Sequence, residues 1–231
     1  MAAPKPIALI STHSKRSKFS YLFATLISLI VLFPYLAKPG LSTVIFRLLS
    51  ALTFVAAVYA VSDKRTQWIT GVLLAMPTAA LNTWLAFHPS SSSLAVPSLV
   101  STLVFLGFTL VTLLRAVLST ETVTRDTIYG ALSVYLLMAF VWGIAYLLLE
   151  TLQPGGLSMD IARHPSHKVD WFDCMFYSFV TLTSTGYGDM VPISAQCRSL
   201  SVLEAVSGIM YVAVLVARLV GLYAARKSEV S

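Results

Sequence analysis

The sequence predicts an all-α integral membrane protein with six spanning helices and a short re-entrant helix between the fifth and sixth. Three observations carry this. First, 57% of the 231 residues are hydrophobic and only 11% charged, against about 25% charged in an average soluble chain. Second, the apolar residues run in blocks at about 20–37, 43–62, 68–87, 94–118, 128–150 and 195–225, each near or above the roughly 18 residues needed to cross hydrocarbon. Third, the blocks show no heptad, so neither coiled coil nor disorder accounts for them. A cytosolic globular protein is excluded on the same composition.

Taken in order, the first block follows Lys15, Arg16 and Lys18. It is too long for a signal peptide, and Lys38-Pro39-Gly40 offers no small-x-small cleavage site. The third block is bracketed by Trp68 and Trp84, as interfacial belt residues would be, and Pro77 predicts a kink in it. An outer turn follows at 88–93, rich in Ser, and the fourth block carries a single base, Arg115, at its inner end. Ser119–Thr127 is a polar connector, and Gln153-Pro154-Gly155-Gly156 ends the fifth helix. The predicted organisation is a tail at 1–19, a four-helix unit at 20–118, a linker at 119–127, a second unit at 128–226 and a tail at 227–231.

Net charge is +6, and the bases sit in short tails and turns. That pattern sets topology and predicts no nucleic-acid partner. With the N-terminus inside, 11 bases fall on the inner side and 5 outside. Both termini are therefore expected in the cytoplasm of a plasma membrane, and the short loops suit a bacterial inner membrane. Membrane lipid is the expected surround.

The apolar stretch 171–183 is too short to span and predicts a re-entrant helix. Asp170 is its expected N-cap, with Asp173 completing a capping box. Its C-terminal end would aim a partial negative charge inward, favouring a cation there. Thr181-Leu182-Thr183-Ser184-Thr185-Gly186-Tyr187-Gly188-Asp189 follows. Stacked backbone carbonyls from several such strands can replace the water around a dehydrated cation. Carbonyls that all point one way need unusual dihedrals, which Gly186 and Gly188 permit. The Ser184 hydroxyl can add a further ring of oxygen.

Ser184-Thr185-Gly186-Tyr187-Gly188-Asp189 resembles the potassium-channel signature TVGYG followed by Asp, and the resemblance extends over about 128–225. It implies a homotetramer in which each chain supplies an outer helix, pore helix, selectivity filter strand and inner helix. K+ would be held by the carbonyls of Ser184, Thr185, Gly186 and Tyr187, with Gly188 and Asp189 supporting them. Potassium would be the permeant ion, with no cofactor and no enzymatic step. Ser replaces the usual Thr, and Thr185 replaces Val and needs a hydroxyl partner. Phe176 and Tyr177 stand where many relatives carry tryptophans, and Val180 where some carry Glu. Tyr177 is expected to help hold the Tyr187 ring outward.

In the last block, Gly208 matches a glycine that serves relatives as a bending point, with close helix packing as the alternative. Ile209, Val212, Ala213, Val216, Ala217, Val220 and Ala224 share one apolar face, which four copies could close by dewetting. Arg218 falls off that face and should snorkel or pair. Glu204, an ionisable residue in a spanning segment, is a functional candidate by default. It is expected to hydrogen-bond groups behind the filter, or to pair between helices.

Six helices with a pore between the last two resembles the voltage-gated layout, but one charge crossing the whole field contributes only about 2.3 kcal/mol per 100 mV. Arg115 alone predicts a channel that is not classically voltage-gated. Two other readings stand beside this: a weakly selective or non-conducting cation channel subunit, and a secondary transporter. His164 and His167 read as a solvated outer loop, and Cys174 and Cys197 as free thiols.

Overall fold

The computed structural model describes residues 18–36, 41–61, 65–88, 92–120, 124–159 and 169–228. The chain is built of helices α1 (Lys18–Leu36), α2 (Leu41–Val61), α3 (Arg65–Phe87), α4 (Ala95–Ser119), α5 (Arg125–Leu152), α6 (Trp171–Leu182) and α7 (Ala195–Ser228). Two three-residue strands, β1 (Leu157–Met159) and β2 (Met190–Pro192), form one small antiparallel sheet. The predicted blocks and the observed helices correspond one to one, and the 171–183 stretch becomes α6. The strands were not anticipated. Most of the N-terminal tail, Lys38-Pro39-Gly40, the connector's 121–123, His164, His167 and the last three residues lie outside the described residues.

Among the described residues, four helical stretches are long and apolar enough to cross a membrane: Arg65–Leu85, Ala95–Ser119, Arg125–Leu152 and Ala195–Leu222. The apolar described stretches of α1 and α2, Lys18–Leu32 and Leu49–Ala60, are shorter. One apolar core runs through both halves of the chain. Leu22, Leu26 and Leu29 of α1 and Phe105, Leu113 and Val117 of α4 join Val134, Leu137 and Phe140 of α5. Met175 of α6 closes it.

The interior of α1–α4 is apolar with uncharged hydroxyls set into it. Thr53, Thr78, Ser98, Thr102 and Thr109 are buried, and four of these threonines donate to carbonyls one turn back in their own helices. Between helices, Thr78 Oγ1 meets Ser101 Oγ at 2.6 Å and Asn82 Nδ2 donates to Thr102 Oγ1 at 3.1 Å. Such small polar contacts let membrane helices approach closely. Helix α3 continues through Pro77. Arg115 lies exposed on α4, away from this interior.

Helix α5 begins where Thr124 caps it, its Oγ1 accepting from Thr127 N at 3.1 Å. It ends at Pro154-Gly155-Gly156, with Gly155 at φ 90°. Asp126, in its first turn, also accepts from the backbone N–H of Phe19 at 3.2 Å. The start of α1 is thereby fixed to the start of α5.

Candidate functional site

The site begins at the C-terminal end of α5. Glu150 folds its carboxylate back over the turn and accepts from Gly155 N at 2.6 Å, Gly156 N at 3.0 Å and Leu157 N at 3.2 Å. Those N–H groups would otherwise lack partners in an irregular turn. The turn feeds β1, which pairs with β2 in the register Leu157↔Pro192, Ser158↔Val191 and Met159↔Met190. Ile193 N donates to Gly156 O at 2.8 Å. The exit of the 184–189 segment is therefore tied to the end of α5.

The entrance to that segment is set by α6. Asp170 and Asp173 form the predicted capping box, Asp173 N donating to Asp170 Oδ1 at 3.0 Å and Asp170 N to Asp173 Oδ2 at 2.8 Å. The far end closes in a Schellman motif. Thr185 N donates to Val180 O at 2.9 Å and Ser184 N to Thr181 O at 3.0 Å, the paired 6→1 and 5→2 bonds of that cap. The cap needs a left-handed residue, usually glycine, and here it is Ser184, at φ 56°. A non-glycine residue held there costs roughly 1–2 kcal/mol. The sequence reading missed this, because no glycine marks the end of α6.

Beyond the cap, Gly186 has φ 61° and Gly188 φ 79°, while Thr185 and Tyr187 have negative φ. The sign of φ thus alternates from Ser184 to Gly188. Such alternation turns successive peptide units to the same side, N–H groups along one edge and carbonyls along the other. In a strand they would alternate. Residues 183–188 are exposed in the single chain.

Side chains behind the segment are placed as follows. The Thr185 hydroxyl finds its partner in Thr183 Oγ1 at 2.8 Å. The Tyr187 ring stacks on Phe176, centroids 6.0 Å apart and planes 5° apart. Tyr177, expected on that ring, is turned the other way in this chain. It is buried, with its hydroxyl 2.6 Å from Ser201 Oγ on α7. The reason is that neighbouring residues of a helix point about 100° apart, so only one of Phe176 and Tyr177 can face the segment. Asp189 Oδ1 accepts from Met190 N at 3.1 Å.

Helix α7 passes close to the end of α6 at Gly208, where an added Cβ would lie 2.3 Å from Leu182 O. Close packing is therefore what Gly208 provides here. The same carbonyl accepts from Tyr135 Oη at 3.2 Å. The Tyr135 ring in turn stacks on that of Tyr211, whose hydroxyl donates to Ala131 O at 2.7 Å. One turn before Gly208, Glu204 is fully buried, accepting from Tyr146 Oη at 2.7 Å with Ser178 Oγ at 2.5 Å. Lower on α7, Ile209, Val212, Ala213, Val216, Ala217 and Val220 are all exposed along one face. Arg218 turns from that face and pairs, Nη1 donating to Val117 O and Nη2 to Thr120 O at the end of α4. Both cysteines are buried free thiols. No cluster of three metal-ligating side chains exists among the described residues.

Residues 132–224, from early α5 to late α7, match the model of a family described as "Ion channel". The chain carries an ion-channel domain. No curated protein and no solved structure matches the chain. The matched stretch spans the pinned turn, α6, the 184–189 segment and most of α7, so the contacts of Glu150, α6 and Gly208 fall inside it and that of Tyr211 with Ala131 lies at its border.

Proposed function

We propose that four copies of this chain form a potassium-selective pore in the plasma membrane, with α6 as pore helix and Ser184–Asp189 as selectivity filter. The observation that carries this is the alternation of φ sign at Ser184, Gly186 and Gly188, inside a Ser-Thr-Gly-Tyr-Gly-Asp run that follows a capped helix. One strand presents one edge of carbonyls, from Ser184, Thr185, Gly186 and Tyr187. Surrounding an ion on all sides takes several identical strands around an axis. The apolar face of α7 supports the same assembly, because Val202, Val206, Ile209, Val212, Val216 and Val220 are exposed among the described residues.

In this reading α5 is the outer helix and α7 the inner helix, and the ring of Val220 and its neighbours narrows the cytoplasmic end. Dewetting between those apolar faces closes the path. Glu204 and Gly208 hold the inner helix against the pore helix. The four-helix unit completes six spans per chain with both termini cytoplasmic. It is not a charged voltage sensor, as its one base on α4 faces away from its own interior. Conduction is passive, down the electrochemical gradient, with no cofactor, and lipid is the surrounding partner.

Reconstitution in planar bilayers tests this. Currents are expected to reverse at the potassium equilibrium potential when K+ and Na+ are exchanged. Gly186→Ala should abolish them while leaving assembly intact, since Gly186 stands at φ 61° with nothing within 4 Å of an added Cβ. A reversal potential indifferent to the potassium gradient overturns selectivity, and current that survives Gly186→Ala overturns the filter assignment.

A further inference from the structure

Glu204 sits at the centre of a buried network whose hydrogens can be counted. Five short oxygen–oxygen contacts link α5, α6 and α7. Tyr177 Oη meets Ser201 Oγ at 2.6 Å, and Ser201 Oγ meets Cys197 O at 2.8 Å. Tyr146 Oη meets Glu204 Oε2 at 2.7 Å, Ser178 Oγ meets Glu204 Oε1 at 2.5 Å, and Ser178 Oγ meets Ala139 O at 2.7 Å. Two oxygens this close need a hydrogen between them.

The hydroxyls of Tyr177, Ser201, Tyr146 and Ser178 supply one hydrogen each. Ser201 must give its hydrogen to Cys197 O, because a carbonyl has none, so Tyr177 donates to Ser201. By the same logic Ser178 must give its hydrogen to Ala139 O. That leaves Ser178 Oγ and Glu204 Oε1 at 2.5 Å with no hydroxyl hydrogen to place between them.

We infer that Glu204 is a neutral carboxylic acid that donates to Ser178 and accepts from Tyr146, and so positions the pore helix between the outer and inner helices. A carboxylate would leave Ser178 with two acceptors and one hydrogen, breaking the link to α5 or to α7. Among the described residues, the ionisable groups facing Glu204 are phenols, Tyr135 and Tyr146 from α5 and Tyr177 from α6. None of these supplies a counter-charge, and an unpaired charge at 0% exposure is the costliest state of a carboxyl group. A neutral acid also places no charge of α7 behind the filter. This rests on the pore reading for its consequence, though not for the protonation state itself.

The test is infrared spectroscopy of the full-length protein in lipid at neutral pH, with 13C-glutamate labelling. The label falls on Glu121, Glu150, Glu204 and Glu229 only. The expected result is one protonated-carboxyl C=O stretch, absent in Glu204→Gln. Only carboxylate bands in the wild type overturn the inference, and this readout needs no current, so it stands or falls apart from potassium conduction. The second measurement is rescue. Gln can donate to Ser178 and accept from Tyr146, so Glu204→Gln should keep unitary conductance and tetramer yield within about twofold, whereas Glu204→Leu should lose about tenfold in yield, one to two hydrogen bonds' worth. Equal damage from Gln and Leu overturns it. If Glu204→Gln does not assemble, the labelled wild-type spectrum alone decides the protonation state.

Discussion

The two halves of this chain hold themselves together by different chemistry. In α1–α4 the polar groups mostly satisfy themselves within one helix, as Thr53 and Thr109 do. Packing there rests on apolar side chains and a few hydroxyl contacts such as Thr78 with Ser101. In α5–α7 the polar groups reach across. Tyr135, Tyr211, Ser178, Tyr146 and Tyr177 each bond a residue on another helix. Irregular backbone at membrane depth survives only when its surroundings fix it, so the half with the irregular segment carries the long-range bonds. Among the described residues the four-helix half has no such segment to hold, and it can tolerate more change. Three substitutions probe that contrast.

The largest effect is expected at Gly208. An added methyl would stand 2.3 Å from Leu182 O, which is backbone at the end of α6 and cannot move without its Schellman cap. Gly208→Ala should therefore destabilise the channel domain by about 3 kcal/mol, the upper range for overpacking. Thermal melting of the purified protein in detergent reads this. A melting temperature equal to wild type, with altered opening alone, would instead make Gly208 a bending point.

Next comes the join between the halves. Arg218 adds a polar hold on α4 to the apolar packing between α4 and α5, bonding Val117 O and Thr120 O in the last turn. Those carbonyls have no partner inside their helix, and a cation there also favours the helix dipole. Arg218→Ala should cost about 2 kcal/mol, in the range for bonds to a charged group. Amide exchange should rise in the last turn of α4, with the 184–189 segment unaffected. Arg218→Lys, a point charge without the fork, should fall between. Exchange unchanged at α4 would mean that apolar packing alone joins the halves.

These contacts also mark what could be read in the sequence. The helices were legible from apolar blocks, and α6 in particular from Asp170 and Asp173 at capping-box spacing. The Ser184–Asp189 run was legible because glycine alternates with other residues there. Ser184 itself was not, since its left-handed φ comes from the cap that α6 imposes, and serine carries no mark for it. Glu150 was passed over because an acidic residue near a helix end looks like solvated surface, and its three N–H donors come from a turn whose shape it helps to create. Strands β1 and β2 are too short to show alternation. Glu204 stands out as an ionisable residue in a spanning segment, but Tyr146 and Ser178 are 58 and 26 residues away, a separation that no local pattern bridges. What stayed hidden was set by tertiary contact.

The smallest effect belongs to the four-helix half and completes the comparison. Thr78 is buried, and its hydroxyl donates to Leu74 O at 2.8 Å while lying 2.6 Å from Ser101 Oγ. Thr78→Val keeps the branched shape and removes only the hydroxyl. Hydrogen bonds between membrane helices average about 0.6 kcal/mol, since the separated helices find other partners. Ser101 can satisfy itself within α4, as its neighbours do. The variant should lose that much and no more, measured by the shift in unfolding midpoint beside Gly208→Ala under the same conditions. A loss above about 2 kcal/mol, the range for stranding a buried polar group, would mean that Thr78 and Ser101 form a fixed polar joint. The four-helix half would then depend on long-range polar contacts as the channel domain does, and the contrast between them would fail.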